Sequence, residues 1–156
     1  MGILIIMGLQ TNINMQNAFE LYQKAAELGN DVAQFDLANM YIDGKGVDKN
    51  YDKAFELYQK SAKEEDSYGM HMLGYCYYLG IGTDINKQKA FKLYQKAADL
   101  GYSAAQYNLA LMYKDGEGIV RDIDQAIYWY KKFSEQEYEE YIQDKLEELI
   151  DIRRFM

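Results

Sequence analysis

The chain has 156 residues, of which 49% are apolar and 27% are charged, and this is enough for one folded domain with a sizeable core. The formal charge of -8 disfavours nucleic acid as a partner, because binding to a phosphate backbone depends on clustered Lys and Arg. The one cysteine, Cys76, cannot form an internal disulfide, which favours a reducing compartment, and the absence of proline is typical of long helices.

The N-terminal run MGILIIMGL is apolar, but it lacks the basic leader and the small-residue cleavage site of a signal peptide and is too short to span a bilayer. We therefore expect a cytoplasmic chain with no membrane role. The next segment, GLQTNINMQNAF (8–19), aligns without gaps on GIGTDINKQKAF (80–91). This alignment predicts that the chain begins inside a repeat, with residues 3–7 as the last turns of a helix. Because the ends of helical arrays need polar caps, we expect residues 1–9 to favour self-association.

One seven-residue segment recurs along the whole chain. AFELYQK occupies 18–24 and 54–60, AFKLYQK occupies 90–96, and AIYWYKK occupies 126–132, always 36 residues apart. A fixed period of about 20 to 50 residues is the signature of a solenoid, in which each unit covers the apolar face of its neighbour. We call residues 36 or 72 apart equivalent.

Each unit contains two predicted helices. DVAQFDLANMYIDG (31–44) and SAAQYNLALMYKDG (103–116) have apolar residues at helical spacing, which predicts a first helix, A. YDKAFELYQKSA (51–62) has the same spacing and predicts a second helix, B. The last segment, 138–153, carries Lys145 where the pattern requires Leu, so we expect a terminal capping helix with a polar outer face.

Glycines mark the corners between these helices. Each A helix is followed by two glycines, of which the first suits a left-handed helix cap, and then by an acidic residue that could cap helix B. The glycine pairs are Gly44 and Gly46, Gly80 and Gly82, and Gly116 and Gly118, and the expected caps are Asp48, Asp84 and Asp122. Gly29 and Gly101 lie at the B-to-A corner, where Glu65 replaces glycine in the middle unit.

The series A-x-Q-[FY]-x-L-[AG]-x-M-Y-x-x-G-x-G, followed by A-x-x-[LW]-Y-x-K-A-A-x-x-G, resembles the Sel-one-like repeat, a relative of the tetratricopeptide repeat. The resemblance implies an all-α fold, a right-handed α/α superhelical solenoid of antiparallel helix pairs. It divides the chain into 1–30, 31–66, 67–102 and 103–135, followed by the capping helix in 136–156. Family members act as adaptors and scaffolds, so the resemblance implies binding of a protein or peptide and no catalysis.

Sequence features that suggest chemistry have simpler explanations. His71, the only histidine, is equivalent to Phe35 and Tyr107, which predicts a packing or groove-lining ring. Cys76 is equivalent to Met40 and has no basic neighbour in sequence, so we expect a buried, inert thiol. The glycine-rich GKGVDKN follows a helix and lacks the ending of a phosphate loop. We therefore predict no catalytic residue, no cofactor and no metal site.

Two other functions stay open beside a scaffold. One is a regulatory repeat segment of a larger signalling enzyme, such as a fungal repeat-linked protein kinase. The other is a hydrolase of the cysteine-rich branch of the family, which a single cysteine disfavours.

The A helices offer a predicted partner-binding groove. In tetratricopeptide arrays the A helices line the concave side, and three positions per A helix lie on one side of it, away from the apolar stripe. For the first residue of each trio, packing against a neighbouring helix is the alternative to partner binding. Tyr75, Tyr78 and Lys114 are expected to be more exposed. The predicted groove residues are Phe35, Asn39 and Ile42, then His71, Tyr75 and Tyr78, then Tyr107, Leu111 and Lys114.

Overall fold

Eight helices follow one another in the part of the chain that the computed structural model describes, and all regular structure there is helical. The description covers residues 2–63, 66–136 and 140–156, and their side chains except those of residues 2–12, 63 and 140. The helices are α1 Gly2–Glu27, α2 Asp31–Asp43, α3 Tyr51–Lys63, α4 Ser67–Leu79, α5 Lys87–Asp99, α6 Ser103–Asp115, α7 Ile123–Gln136 and α8 Glu140–Arg154. Each helix packs on its neighbours in sequence, so the predicted all-α solenoid is confirmed. None of these helices is long and apolar enough to cross a membrane.

The A helices α2, α4 and α6 pack through small residues. Ala38 and Ala110 are fully buried, and the equivalent Gly74 is buried as well. A Cβ at Gly74 would lie 2.8 Å from Cε1 of Tyr94. Small side chains therefore let the A helices approach the large rings of the B helices closely.

Each B helix contributes one large tyrosine to the core. Tyr58, Tyr94 and Tyr130 are equivalent and are among the largest fully buried side chains. Two apolar clusters meet at α4, since Met70 belongs to the C-terminal cluster and Cys76 to the N-terminal one. Cys76 is fully buried, as predicted, and burial raises the pKa of its thiol to about 12. The thiol therefore stays protonated at neutral pH.

The A-to-B corners end each A helix with a left-handed glycine. Gly80 has φ +77° and its N–H donates to Cys76 O at 2.8 Å, and the equivalent Gly44 and Gly116 do the same. The loop then closes through a bond from Asn86 N–H to Tyr77 O at 2.7 Å. Glycine accepts this backbone conformation without the strain that a Cβ causes.

The caps of the B helices differ in part from the prediction. Asp122 caps α7 as predicted, accepting from Gln125 N–H at 3.0 Å. Asp48 and Asp84 do not cap their helices, because the hydrogen bond that closes each loop onto the A helix is donated by the N–H two residues further on, that of Asn50 or Asn86. These two asparagines are the caps. Asn50 accepts from Lys53 N–H at 3.0 Å, and Asn86 accepts from Lys89 N–H at 2.9 Å. Asn is as good an N-cap as Asp.

The second glycine of each corner lies directly against the backbone of the preceding B helix, at the first residue of α3 and of α5 and inside α1. A Cβ at Gly82 would overlap the carbonyl oxygen of Tyr51 and lie 2.7 Å from Cβ of Phe55. The other corners make the same contact 36 residues away, so one backbone contact recurs in every unit. The contacting pairs are Gly46 with Met15, Gly82 with Tyr51, and Gly118 with Lys87.

The N-terminal segment departs from the predicted corner. The alignment of 8–19 with 80–91 predicts a loop near Gly8, but α1 runs unbroken from Gly2 to Glu27. Gln10 stands where the other corners have their second glycine, and Gln is a good helix former. Asn14, equivalent to the cap Asn50, consequently lies inside the helix. The side chains of residues 1–12 lie outside the described part, so self-association through residues 1–9 stays a prediction.

The other corners and the C-terminal helix follow the predicted pattern. Gly29 and Gly101 have φ of +83° and +87°. Glu65 lies outside the described residues, but Asp66 caps α4 by accepting from Gly69 N–H at 2.6 Å. On α8 three apolar residues, Ile142, Leu146 and Leu149, are buried against the preceding helices, and its outer face is polar.

The two classes of glycine predict different costs of substitution. Gly101→Ala should cost about 1 to 2 kcal/mol, because its φ is left-handed but no atom lies within 4 Å of the new Cβ. Gly82→Ala adds an overlap with backbone, and we expect a loss of about 3 kcal/mol or more. Urea unfolding of both variants measures the difference. Equal losses would contradict the contact between corner and helix.

Candidate functional site

The first residue of each predicted groove trio packs against a ring of a following helix. The ring centroids of Phe35 and Tyr68 are 4.4 Å apart, and those of Tyr107 and Phe133 are 5.4 Å apart. The ring centroids of His71 and of Tyr94 on α5 are 5.4 Å apart. All three first residues are half-buried, so they join neighbouring helices while keeping part of their surface accessible.

His71 also belongs to a buried polar chain. Its Nε2 lies 2.9 Å from Nδ2 of Asn108, and the Asn108 side chain also hydrogen-bonds Tyr94. His71 Nδ1 is buried and has no hydrogen-bond partner among the described residues. Burial lowers the pKa of His71 from 6.5 to about 4, so the ring is neutral at pH 7. The predicted packing role of this histidine is confirmed.

Three of the nine predicted residues line one pocket between α4 and α6. This groove pocket has a volume of about 230 Å³. Tyr75 is 38% exposed at its mouth, and the buried Tyr94 lies at its base. The lining residues are Tyr75, Tyr78, Leu79, Tyr94, Asn108, Leu111 and Met112. The pocket is thus walled by aromatic and aliphatic side chains, with few polar groups to fix an orientation.

Tyr78 is held in place by two residues that sequence reasoning missed. Its hydroxyl donates to Glu117, and Lys87 Nζ lies 2.6 Å from Glu117 Oε1 and 5.1 Å from the Tyr78 ring centroid. The bond to Glu117 raises the pKa of Tyr78 to about 12, and the bond from Lys87 lowers the pKa of Glu117. The sequence signal for this contact was the acidic residue Glu117, because the equivalent corner residues are Lys45 and Ile81 and neither can accept a hydrogen bond from Tyr78 through its side chain.

A second pocket occupies the equivalent place at the N-terminal end. It has a volume of about 330 Å³ and lies between α1 and α2. Four of its lining residues are each 72 residues before a residue of the groove pocket, namely Tyr22, Asp36, Asn39 and Met40. Asn39, a predicted groove residue, accepts a hydrogen bond from Tyr58 at 2.7 Å. In this pocket Asp36 and Asn39 stand where the groove pocket has Asn108 and Leu111.

The last two predicted residues lie outside both pockets. Ile42 packs against the N-terminal cluster. The Lys114 side chain is only 25% exposed and lies 3.6 Å from Asp115, so it is less exposed than expected. The backbone oxygen of Lys114 accepts from Arg121 Nε at 3.0 Å. Of the nine residues, Tyr75 is the most exposed.

The described residues place no group of three or more His, Cys, Asp or Glu where it could hold a metal ion. The arrangement at the groove pocket can bind an apolar or aromatic group, and its tyrosines and Asn108 can form hydrogen bonds.

The fold and the recurring corners define an α-helical repeat protein, and the comparison with family models identifies the repeat family. The model described as Sel1 repeat matches residues 1–30, 31–66, 67–102 and 103–138. The chain therefore belongs to the Sel1 repeat family. Proteins of this family are in general protein-interaction scaffolds, and the fold is typically non-catalytic. A comparison with curated proteins gives no match.

Solved structures support the same fold. A protective antigen of uropathogenic Escherichia coli with an SLR fold is 34% identical, with a TM-score of 0.77 over 85% of this chain and 28% of that one. A Sel1 repeat protein from Oxalobacter formigenes is 30% identical, with a TM-score of 0.70 over 81% of this chain and 95% of that one. Cysteine-rich protein B of Helicobacter pylori, at 23% identity, matches in fold with a TM-score of 0.66 over 86% of this chain and 96% of that one.

His71 predicts a specific pH dependence of stability. Because its pKa is lowered in the folded state, the unfolded chain binds the proton more readily between pH 6.5 and about 4. The contribution of the neutral ring to the free energy of unfolding is fully present above pH 6.5. It is lost as the pH falls from 6.5 to about 4, by about 1.4 kcal/mol per pH unit and about 3 kcal/mol in all. Urea unfolding should show this loss in the wild type but not in His71→Phe, which carries the ring of the equivalent Phe35. Parallel stability curves for the two proteins would contradict it.

Proposed function

We propose that this chain is a protein-interaction scaffold or adaptor that binds a segment of a partner protein along the face formed by the nine groove residues. The observation that carries the proposal is the groove pocket, which brings Tyr75, Tyr78 and Leu111 together around Tyr94. Apolar pockets lined by tyrosine are typical of binding hot spots, because a rigid ring buries a large area and loses little conformational entropy.

The rim of the pocket favours recognition of a defined shape. Tyr78 is fixed by Glu117 and Lys87, so one wall of the pocket is ordered before a partner arrives. Asn108 is fixed by His71 in the same way at the base. Preorganised walls lower the entropic cost of binding, which supports binding of one apolar side chain in an extended or helical segment.

Other parts of the expected function stay predictions. The chain's charge of -8 supports a protein partner over nucleic acid. A cytoplasmic location and self-association through residues 1–9 are consistent with the sequence alone. No feature of the described residues favours a regulatory segment of a signalling enzyme over an independent scaffold.

Tyr75 provides the test of the groove. A peptide selected from a display library for binding to the wild-type chain should bind about 30-fold more weakly to Tyr75→Ala, the effect of losing a hot-spot contact of about 2 kcal/mol. Leu111→Ala should weaken it as well. The matched control is Tyr128→Ala, which removes a tyrosine of similar exposure on α7, outside the pocket.

Titration calorimetry measures each affinity, and circular dichroism checks that the variants stay helical. If every selected peptide keeps its affinity for Tyr75→Ala and Leu111→Ala, the partner binds elsewhere and the groove assignment is wrong.

A further inference from the structure

A third pocket, larger than the two described above, lies among α1, α2 and α3, and it shares no residue with the groove pocket. This α1–α3 pocket is open to solvent and has a volume of about 430 Å³. Its walls combine apolar side chains with the stems of charged residues on the two B helices. The lining residues are Gln23, Ala26, Glu27, Gln34, Leu37, Tyr41, Lys53, Glu56, Leu57 and Lys60.

Gln34 places an unused hydrogen-bond acceptor in this pocket. Only 2% of the residue is exposed, and its Oε1 is buried with no partner among the described residues. A buried amide oxygen without a donor is unfavourable, because the chain has lost its bond to water and gained none. A ligand that brings an N–H or O–H into the pocket would restore that bond.

The last repeat shows the same position with its acceptor satisfied. Gln106 is equivalent to Gln34, and its Oε1 accepts from Gln136 Nε2 at 3.2 Å. The residue equivalent to Gln136 in the 31–66 repeat is Glu64, which lies outside the described residues. An ionised carboxylate has no hydrogen to donate, so the chemistry that satisfies Gln106 is missing from the sequence there.

The last repeat carries a tryptophan at a position that lines the α1–α3 pocket in the 31–66 repeat. Trp129 is equivalent to Leu57, and its indole is buried, with 6% of the residue exposed. Its Nε1 has no hydrogen-bond partner among the described residues, and Gln106 Oε1 is already bonded to Gln136. In the 67–102 repeat the pair is Met70 and Leu93, which offers no amide acceptor. Among the last three repeats, the 31–66 repeat alone combines the glutamine acceptor with a leucine where the last repeat has tryptophan.

The rim of the pocket carries no net charge. Lys53 and Lys60 are balanced by Glu27 and Glu56. Lys53 Nζ lies 5.2 Å from the centroid of the Tyr41 ring, so the Tyr41 ring already holds a lysine over one face. A balanced rim selects neither an anion nor a cation, and the apolar lining residues Ala26, Leu37 and Leu57 favour an apolar body.

We propose that the α1–α3 pocket binds the indole ring of a tryptophan side chain from a partner polypeptide. The indole N–H would donate to Gln34 Oε1, and the ring would lie against Leu37 and Leu57. Indole is a donor without an acceptor, which matches a site whose unused group is an acceptor. This site adds a second contact to the proposed scaffold, and it can be tested independently of the groove.

The test uses NMR titration of the isotope-labelled chain with N-acetyl-tryptophanamide, and with the same compound methylated at the indole nitrogen. We expect saturable shifts at the amides of Gln34, Leu37 and Leu57. Binding should weaken about fivefold or more when the indole nitrogen is methylated. It should weaken by a similar factor in Gln34→Met, which introduces the side chain of the equivalent Met70.

Two leucine variants test the shape of the site. Leu57→Trp copies the last repeat and should abolish binding of the probe, because the new ring occupies the pocket. Leu21→Trp makes the same change one repeat earlier, at a residue that is 67% exposed and does not line the pocket, so binding should be unchanged.

Three results would overturn the proposal. They are no saturable binding of the probe to the wild-type chain, equal binding to the wild type and Leu57→Trp, and equal binding of the methylated and unmethylated probes. Binding of free indole without binding of N-acetyl-tryptophanamide would assign the pocket to a small molecule and exclude a polypeptide. The effect of Tyr75→Ala on peptide binding at the groove pocket has no influence on the binding of N-acetyl-tryptophanamide to the α1–α3 pocket, so the two proposals fail independently.

Discussion

The contact between each corner glycine and the preceding B helix is the constraint on which the rest of this structure depends. At Gly46, Gly82 and Gly118 the chain approaches backbone so closely that no Cβ fits. Because the contact recurs every 36 residues, it fixes how far each unit is displaced from the last. Equivalent side chains then meet equivalent surroundings, and the solenoid keeps one geometry along its described length.

A fixed geometry makes sequence differences between repeats decisive for function. The groove pocket and the pocket between α1 and α2 occupy equivalent places, yet Asn108 and Leu111 line the first where Asp36 and Asn39 line the second. The family's general role as an interaction scaffold is consistent with this division. The fold supplies repeated shallow pockets, and single substitutions decide which chemistry each pocket accepts.

The sequence predicts those features that depend on local spacing. The helices, the left-handed glycines and the meeting of Tyr75, Tyr78 and Leu111 follow from two periods, one of 3.6 and one of 36 residues. It does not predict features that depend on which groups meet across repeats. The bond between Tyr78 and Glu117 joins residues 39 positions apart, and the open acceptor of Gln34 depends on space left unfilled by several helices.

The central claim is that equivalent positions are structurally interchangeable, so that one repeat's side chain predicts what fits into another. A crystal structure of the Leu57→Trp variant tests it most directly. With 31–63 superposed on 103–135, the account predicts that the indole at position 57 coincides with that of Trp129 and lies within the α1–α3 pocket. An indole pointing into solvent, or a displaced α3, would contradict it.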